Sequence, residues 1–114
     1  MIVGELVPAT SQREAFRRDR QKFVPDRPGC YVLTTFSGVV LYIGLTVSLQ
    51  KRMGQHLDSP EKTKESANGR AVLFHWLEVA PSQINKVERT WMNSHGLKEG
   101  ARPAFNKMDS PTYT

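Results

Sequence analysis

The chain predicts an α+β fold: a small, central, mostly antiparallel three-stranded sheet flanked by helices. Three observations carry the prediction. Residues 31–43 alternate as a hairpin does, with the β-branched and aromatic run Tyr31-Val32-Leu33-Thr34-Thr35-Phe36, a Ser37-Gly38 turn, and Val39-Val40-Leu41-Tyr42-Ile43. After Gly44 the apolar period lengthens to four, through Leu45, Leu49, Met53 and Leu57, which is a helical stripe. A second strand-then-helix pair follows, with Val72-Leu73-Phe74-His75-Trp76-Leu77-Glu78-Val79 ahead of a helix opened by Pro81-Ser82.

At the N-terminus, residues 2–6 read as a short strand. Ser11-Gln12-Arg13-Glu14 has the form of a capping box ahead of Ala15-Phe16, which predicts a helix over residues 11–23. Arg13, Arg17, Arg18, Arg20 and Lys22 outnumber Glu14 and Asp19 there. Such a helix either lies along phosphates, adding salt-dependent affinity without reading sequence, or is a solvated basic helix packed by Phe16 and Phe23.

In the hairpin, a two-residue loop at Ser37-Gly38 sets Phe36 opposite Val39, Leu33 opposite Tyr42 and Tyr31 opposite Gly44. Side chains alternate along a strand, so Tyr31 and Tyr42 emerge on one face as diagonal neighbours. A loop one residue longer or shorter would send them to opposite faces. The helix after Gly44 can be capped by Thr46 or Ser48, and it presents Arg52 and His56 one turn apart. Residues 58–70 are polar throughout with no apolar period, which predicts a mobile loop.

The last helix runs to about His95-Gly96, with Ile84, Val87, Trp91 and His95 facing inward. Glu88 borders that apolar stripe, where a carboxylate costs free energy unless a cation meets it. His75 reads as a structural strand residue, and His95 as a helix C-terminal residue suited to the dipole.

Composition narrows the classes. One domain is expected of 114 residues. Lys and Arg number 16 against 11 Asp and Glu, a net charge of +5, and the isoelectric point is near 9.7. That balance favours a polyanionic partner. Cys30 is the single cysteine, which excludes an internal disulfide framework and a His/Cys zinc set and suits a reducing cytoplasm. With no apolar run of membrane length and no signal-peptide pattern, a soluble intracellular protein is expected, with no membrane partner.

Gly29-Cys30-Tyr31 and Tyr42-Ile43-Gly44, followed in order by Arg52, His56, Glu88 and Pro103-Ala104-Phe105-Asn106, carry a family resemblance. The chain resembles the GIY-YIG nucleases over about residues 28–107. This divides it into an N-terminal strand and basic-helix extension (1–27), a GIY-YIG-like nuclease domain (28–107) and a C-terminal tail (108–114). Cys30 replaces the usual isoleucine of the first motif. It alternates away from Tyr31, so a small apolar residue there leaves the chemistry intact.

The resemblance implies a divalent-metal-dependent DNA endonuclease that leaves a 5′-phosphate and a 3′-hydroxyl. Its catalytic residues would be Tyr31, Tyr42, Arg52, His56, Glu88 and Asn106. Glu88 would hold Mg²⁺ or Mn²⁺, Tyr31 would take a proton from the attacking water, Arg52 would stabilise the pentacoordinate phosphorus, and Asn106 would orient Glu88 or a phosphate oxygen. Lys51, Arg52, Arg17, Arg18 and Arg20 would meet DNA. A free phenol near pKa ~10 is ionised in only about one molecule in a thousand at pH 7, so its neighbours must favour the anion or carry the proton.

A catalytically silent nucleic-acid-binding module, a subunit of a larger nuclease system, and an interaction protein acting on another nuclease are the alternatives. One active site cuts one strand, which leaves nicking or a homodimer. Restriction, repair, recombination, and mobile-element or phage roles are all compatible with these residues.

Overall fold

The structure, a computed structural model, describes residues 1–106. Lys107 and the predicted tail at 108–114 lie outside the described residues. Four antiparallel strands form one sheet in the order β1-β4-β2-β3. They are β1 (Gln12–Ala15), β2 (Gly29–Thr34), β3 (Val40–Thr46) and β4 (Leu73–Glu78), with helices α1 (Leu49–Leu57), α2 (Pro60–Thr63) and α3 (Ile84–Glu99).

The fourth strand corrects the predicted three. Residues 12–15 pair with β4, Gln12 opposite Trp76 and Ala15 opposite Leu73, where the local signal predicts the start of a helix. A helix there would leave the edge of β4 without partners. Instead Ser11 N donates to the Trp76 carbonyl at 2.9 Å, and the Glu14 carboxylate that would close the capping box accepts from Arg20 at 2.8 Å. Tertiary pairing overrides a cap worth only about 1 kcal/mol. The rest of the predicted helix shrinks to a 3₁₀ segment, Arg18–Phe23. Residues 2–6 likewise form a 3₁₀ turn, Val3–Glu5, and not a strand; Ile2 makes a single bridge to Val39.

The hairpin keeps its predicted register by a different route. Its loop is longer than two residues: Thr34 pairs with Val40, Gly38 N donates to Thr35 O at 3.0 Å, and Gly38 takes φ +91, where glycine alone is unstrained. Phe36 therefore stands 87 % exposed at the tip and not across from Val39. The longer loop alone would flip one strand. A bulge at Leu41 restores the count, so Leu33 meets Tyr42 and Tyr31 meets Gly44 as predicted.

The polar run at 58–70 is not structureless. Ser59 and Pro60 open α2, whose turn closes when Lys62 N and Thr63 N donate to the Ser59 carbonyl at 3.1 and 3.2 Å. Proline fits the first turn because its missing N–H has no helical partner to lose. α3 starts at Ile84, later than Pro81, and continues past Gly96 to Glu99, where Gly100 in the left-handed region terminates it.

The two sheet faces carry separate cores. Tyr31, Leu33, Leu49, Met53, Phe74 and Trp76 pack on the α1 side. Cys30, Val32, Ile43, Leu45, Ile84 and Trp91 pack on the α3 side, so Cys30 does point away from Tyr31. Among the described residues no helix is long and apolar enough to cross a membrane.

Candidate active site

Tyr31 is the centre of the site because β2 is an inner strand, hydrogen-bonded on both sides and therefore fixed. Its phenol is fully buried and its hydroxyl lies 2.6 Å from His56 Nε2. Phe74 stacks on the ring at 5.1 Å and 13°, Tyr42 lies at 6.0 Å, and the His56 ring meets the Tyr42 ring edge-on at 5.0 Å. The space for this cluster comes from Gly44. A Cβ there would fall 2.4 Å from the Tyr31 hydroxyl, so any other residue would have to displace the phenol. Gly29 faces a parallel constraint, since its Cβ would lie 2.4 Å from the Leu77 carbonyl oxygen.

α1 brings the second half. Ser48 caps it, accepting from Lys51 N at 3.3 Å, which starts the helix where Arg52 and His56 both turn toward Tyr31. Burial, then the charges of Arg52 and Lys62, push the His56 imidazole down to about 3. Burial also holds the Tyr31 phenol well above its ordinary value, with Tyr42 adding to the effect and Arg52 opposing it. At neutral pH the pair is thus a neutral phenol against a neutral imidazole. A hydroxyl donating to Nε2 sets the imidazole hydrogen on Nδ1. Tyr42, half-buried, is raised by burial and lowered by Arg52.

Arg52 has one arm tied, Nη1 donating to Gln55 Oε1 at 2.9 Å. Its Nε is buried without a hydrogen-bond partner. Glu88 comes from α3 and is 1 % exposed, with Oε2 also lacking a partner. Burial pushes its carboxyl up to about 7, against the charge of Arg89. Its own charge acts on Tyr42, which links it to the cluster at longer range. The structure therefore gathers Tyr31, Tyr42, His56 and Arg52 into one cluster. Glu88 approaches from the helix of the opposite layer.

Asn106 performs a backbone task. Its Oδ1 accepts from Ile43 N and its Nδ2 donates to Ile43 O, both at 2.9 Å, so the amide copies a neighbouring strand and fixes the edge of β3 between Tyr42 and Gly44. Of the expected DNA contacts, Lys51 is exposed on α1. Arg17 pairs with Asp19 at 2.6 Å, Arg20 with Glu14 at 2.8 Å, and Arg18 with Asp58. The 3₁₀ segment that carries Arg18 and Arg20 docks on α1 through Gln21, which donates to Gln50 O at 2.9 Å. His75 is a structural residue, its Nε2 on Thr34 Oγ1 at 2.9 Å, and His95 Nδ1 meets the Ala101 carbonyl at 2.7 Å.

Lys62 escaped the sequence reading. Its ammonium lies 5.0 Å from the Tyr42 ring centroid, and its charge reaches His56. The signal that could have found it is Ser59-Pro60, a helix start inside a run otherwise read as loop.

Residues 27–100 match the family described as the GIY-YIG catalytic domain. Among curated proteins, the chain is 40% identical over 93 residues to UvrABC system protein C of Malacoplasma penetrans, covering 80% of this chain and 15% of that one. It is 33% identical over 92 residues to the protein of the same name from Finegoldia magna, covering 79% of this chain and 14% of that one. It is 31% identical over 116 residues to a protein of Mycobacterium tuberculosis named as a bifunctional exonuclease/endonuclease, covering 94% of this chain and 16% of that one. The chain thus spans about one sixth of the length of these relatives. Matched over most of its length by that family's description, with the tyrosines of both tripeptides on one sheet face, the chain belongs to the GIY-YIG catalytic domain family.

Proposed function

We propose that the chain is a divalent-metal-dependent DNA endonuclease unit that hydrolyses one phosphodiester bond to a 5′-phosphate and a 3′-hydroxyl. The observation that carries the reading is the 2.6 Å contact between the Tyr31 hydroxyl and His56 Nε2. It gives the phenol a route for its proton: the phenol oxygen takes a proton from the attacking water as its own proton passes to the imidazole, a transfer that the negative charge of the bound phosphodiester favours by offsetting Arg52 and Lys62. The water oxygen bonds to phosphorus, the bond to the 3′ oxygen breaks, and that oxygen is protonated from solvent. Arg52, with a buried and unspent Nε donor, answers the charge that develops on the phosphoryl oxygens. Asn106 holds the strand that carries Tyr42.

Glu88 fits the role of ligand to a hard cation. Its partnerless buried Oε2 needs a positive charge, and a carboxyl held near 7 ionises when one arrives. Among the described residues no three His, Cys, Asp or Glu side chains gather, so this carboxylate would act alone, as suits Mg²⁺ or Mn²⁺, which keep several waters. When bound, such a cation supplies Lewis-acid stabilisation of the phosphoryl charge. The names of the relatives, a UvrABC system protein and an exonuclease/endonuclease, agree with a nuclease.

The test is cleavage of supercoiled plasmid by wild type and Glu88→Ala, each with Mg²⁺ and with chelator. Metal-dependent cutting is expected, falling by more than about 100-fold in the variant, since even outer-shell changes at metal sites cost 10–100-fold. Nicked circles should appear before linear product if single chains act; direct linearisation would report a homodimer. DNA binding without cutting would make the chain a silent binding module or a subunit of a larger nuclease system. Cutting that survives the chelator would remove the metal from the reading.

A further inference from the structure

Lys62 stands outside both tripeptides and every residue aligned with them, yet α2 delivers it to the same cluster. The turn that places it is closed on Ser59, by Lys62 N at 3.1 Å and by Thr63 Oγ1 at 3.0 Å. From there the half-buried side chain sets its ammonium 5.0 Å from the centroid of the Tyr42 ring. A cation over an aromatic face is drawn to the ring, which fixes where its charge stands.

We propose that Lys62 is a DNA-contacting residue of the site, its ammonium binding a non-bridging oxygen of a phosphodiester beside the one that is cut. The proposal rests on the endonuclease reading and deepens it by naming a second cation for the substrate strand. Geometry gives the first argument: the ammonium sits against Tyr42, on the sheet face that carries Tyr31, and Tyr42 is the half-buried member of that pair. Charge gives the second. The two charges that act on the His56 imidazole are both positive, Arg52 and Lys62, so the potential at this end of the site favours an incoming phosphodiester. The chemistry of the two cations is also divided sensibly. The planar fork of Arg52 suits the reacting phosphoryl group, and a compact ammonium on a flexible stem suits a neighbouring phosphate whose position varies with the DNA.

Binding is measured without cutting, by fluorescence anisotropy of a labelled duplex in chelator, across about 50 to 200 mM salt. Wild type, Lys62→Met and Lys62→Arg are compared, with Lys62→Gln as a second neutral variant should the methionine disturb folding. Loss of one phosphate contact should make the log-log salt slope shallower by about 0.9 and weaken binding about tenfold at low salt, while arginine keeps the wild-type slope. Unchanged slope in both neutral variants would overturn the proposal and leave Lys62 as a prop for Tyr42. A wild type that binds no DNA at all would sink the endonuclease reading and this proposal with it. A wild type that binds DNA with a slope the neutral variants share would sink this proposal alone.

Discussion

His56 and His75 are buried against opposite faces of one sheet, and each has Nε2 on a hydroxyl, at 2.6 Å and 2.9 Å. Burial pushes the first down to about 3 and the second to about 4. What separates them is the rest of the hydroxyl's commitments. Thr34 Oγ1 donates its single proton to the Thr35 carbonyl at 2.9 Å, so it can only accept from His75, whose Nε2 must carry the hydrogen. That bond is closed to proton traffic. Tyr31 offers a phenol, intrinsically far more acidic than an aliphatic alcohol; burial and Tyr42 hold it above its ordinary value, and the charge of Arg52 opposes them. Burial and a depressed imidazole are therefore common to both histidines. The acidity of the partner and the cations around it distinguish the proton relay from the structural tie.

The sharpest way to break this contrast is to remove each hydroxyl while keeping its shape. Tyr31→Phe should leave the stacked cluster intact and lower the single-turnover cleavage rate by about 10²- to 10⁴-fold, the usual worth of a general base. Thr34→Val leaves the His75 donor buried and unpaired. It should cost about 1–3 kcal/mol in urea unfolding and leave the cleavage rate unchanged. Comparable losses of rate in the two variants would erase the distinction.

Gly44→Ala probes how exact the Tyr31 side must be. Its new Cβ, 2.4 Å from the phenol oxygen, must move Tyr31 away from His56. A displacement of about 1 Å can cost about 100-fold in rate, and overpacking of this kind about 1–3 kcal/mol in stability. A variant with wild-type cleavage would mean that the pair tolerates loose geometry.

The Tyr31 face was legible in the sequence because its signals are local. Strand alternation and the four-residue period after Gly44 set Tyr31, Tyr42, Arg52 and His56 on facing surfaces without any knowledge of distant contacts. The agreement in register was not earned by the loop, however. A longer turn and the bulge at Leu41 cancelled, and neither is visible in residue types. What stayed hidden depends on partners far along the chain. β1 exists because the edge of β4 needs hydrogen bonds, which outweighs a capping box at Ser11 and Glu14. Asn106 was named by its motif, but its task on the Ile43 main chain was not. Lys62 was lost because α2 is held by closure on Ser59, with no apolar face to announce it.

The gentlest test of the contrast uses pH. In the unfolded chain both imidazoles bind a proton below about 6.5, whereas in the folded protein they do so only near 3 and 4. Between those values the unfolded chain holds more protons, so the stability each histidine contributes is present above pH 6.5 and lost as the pH falls toward the folded value. Each adds a slope of up to about 1.4 kcal/mol per pH unit. Glu88 works in the opposite sense: its carboxyl rises from 4.5 to about 7, so its contribution is present below pH 4.5 and lost as the pH climbs to 7. Across pH 4.5 to 6.5 two histidines outweigh one carboxyl, and stability should rise with a net slope near one proton. His75→Gln and His56→Gln should each flatten that rise in urea unfolding, by similar amounts. Only His56→Gln should also change how the cleavage rate depends on pH, because only its proton takes part in the reaction. If His75→Gln moved the rate profile as well, the closed bond to Thr34 would not be closed, and the two sides of the sheet would share one titration.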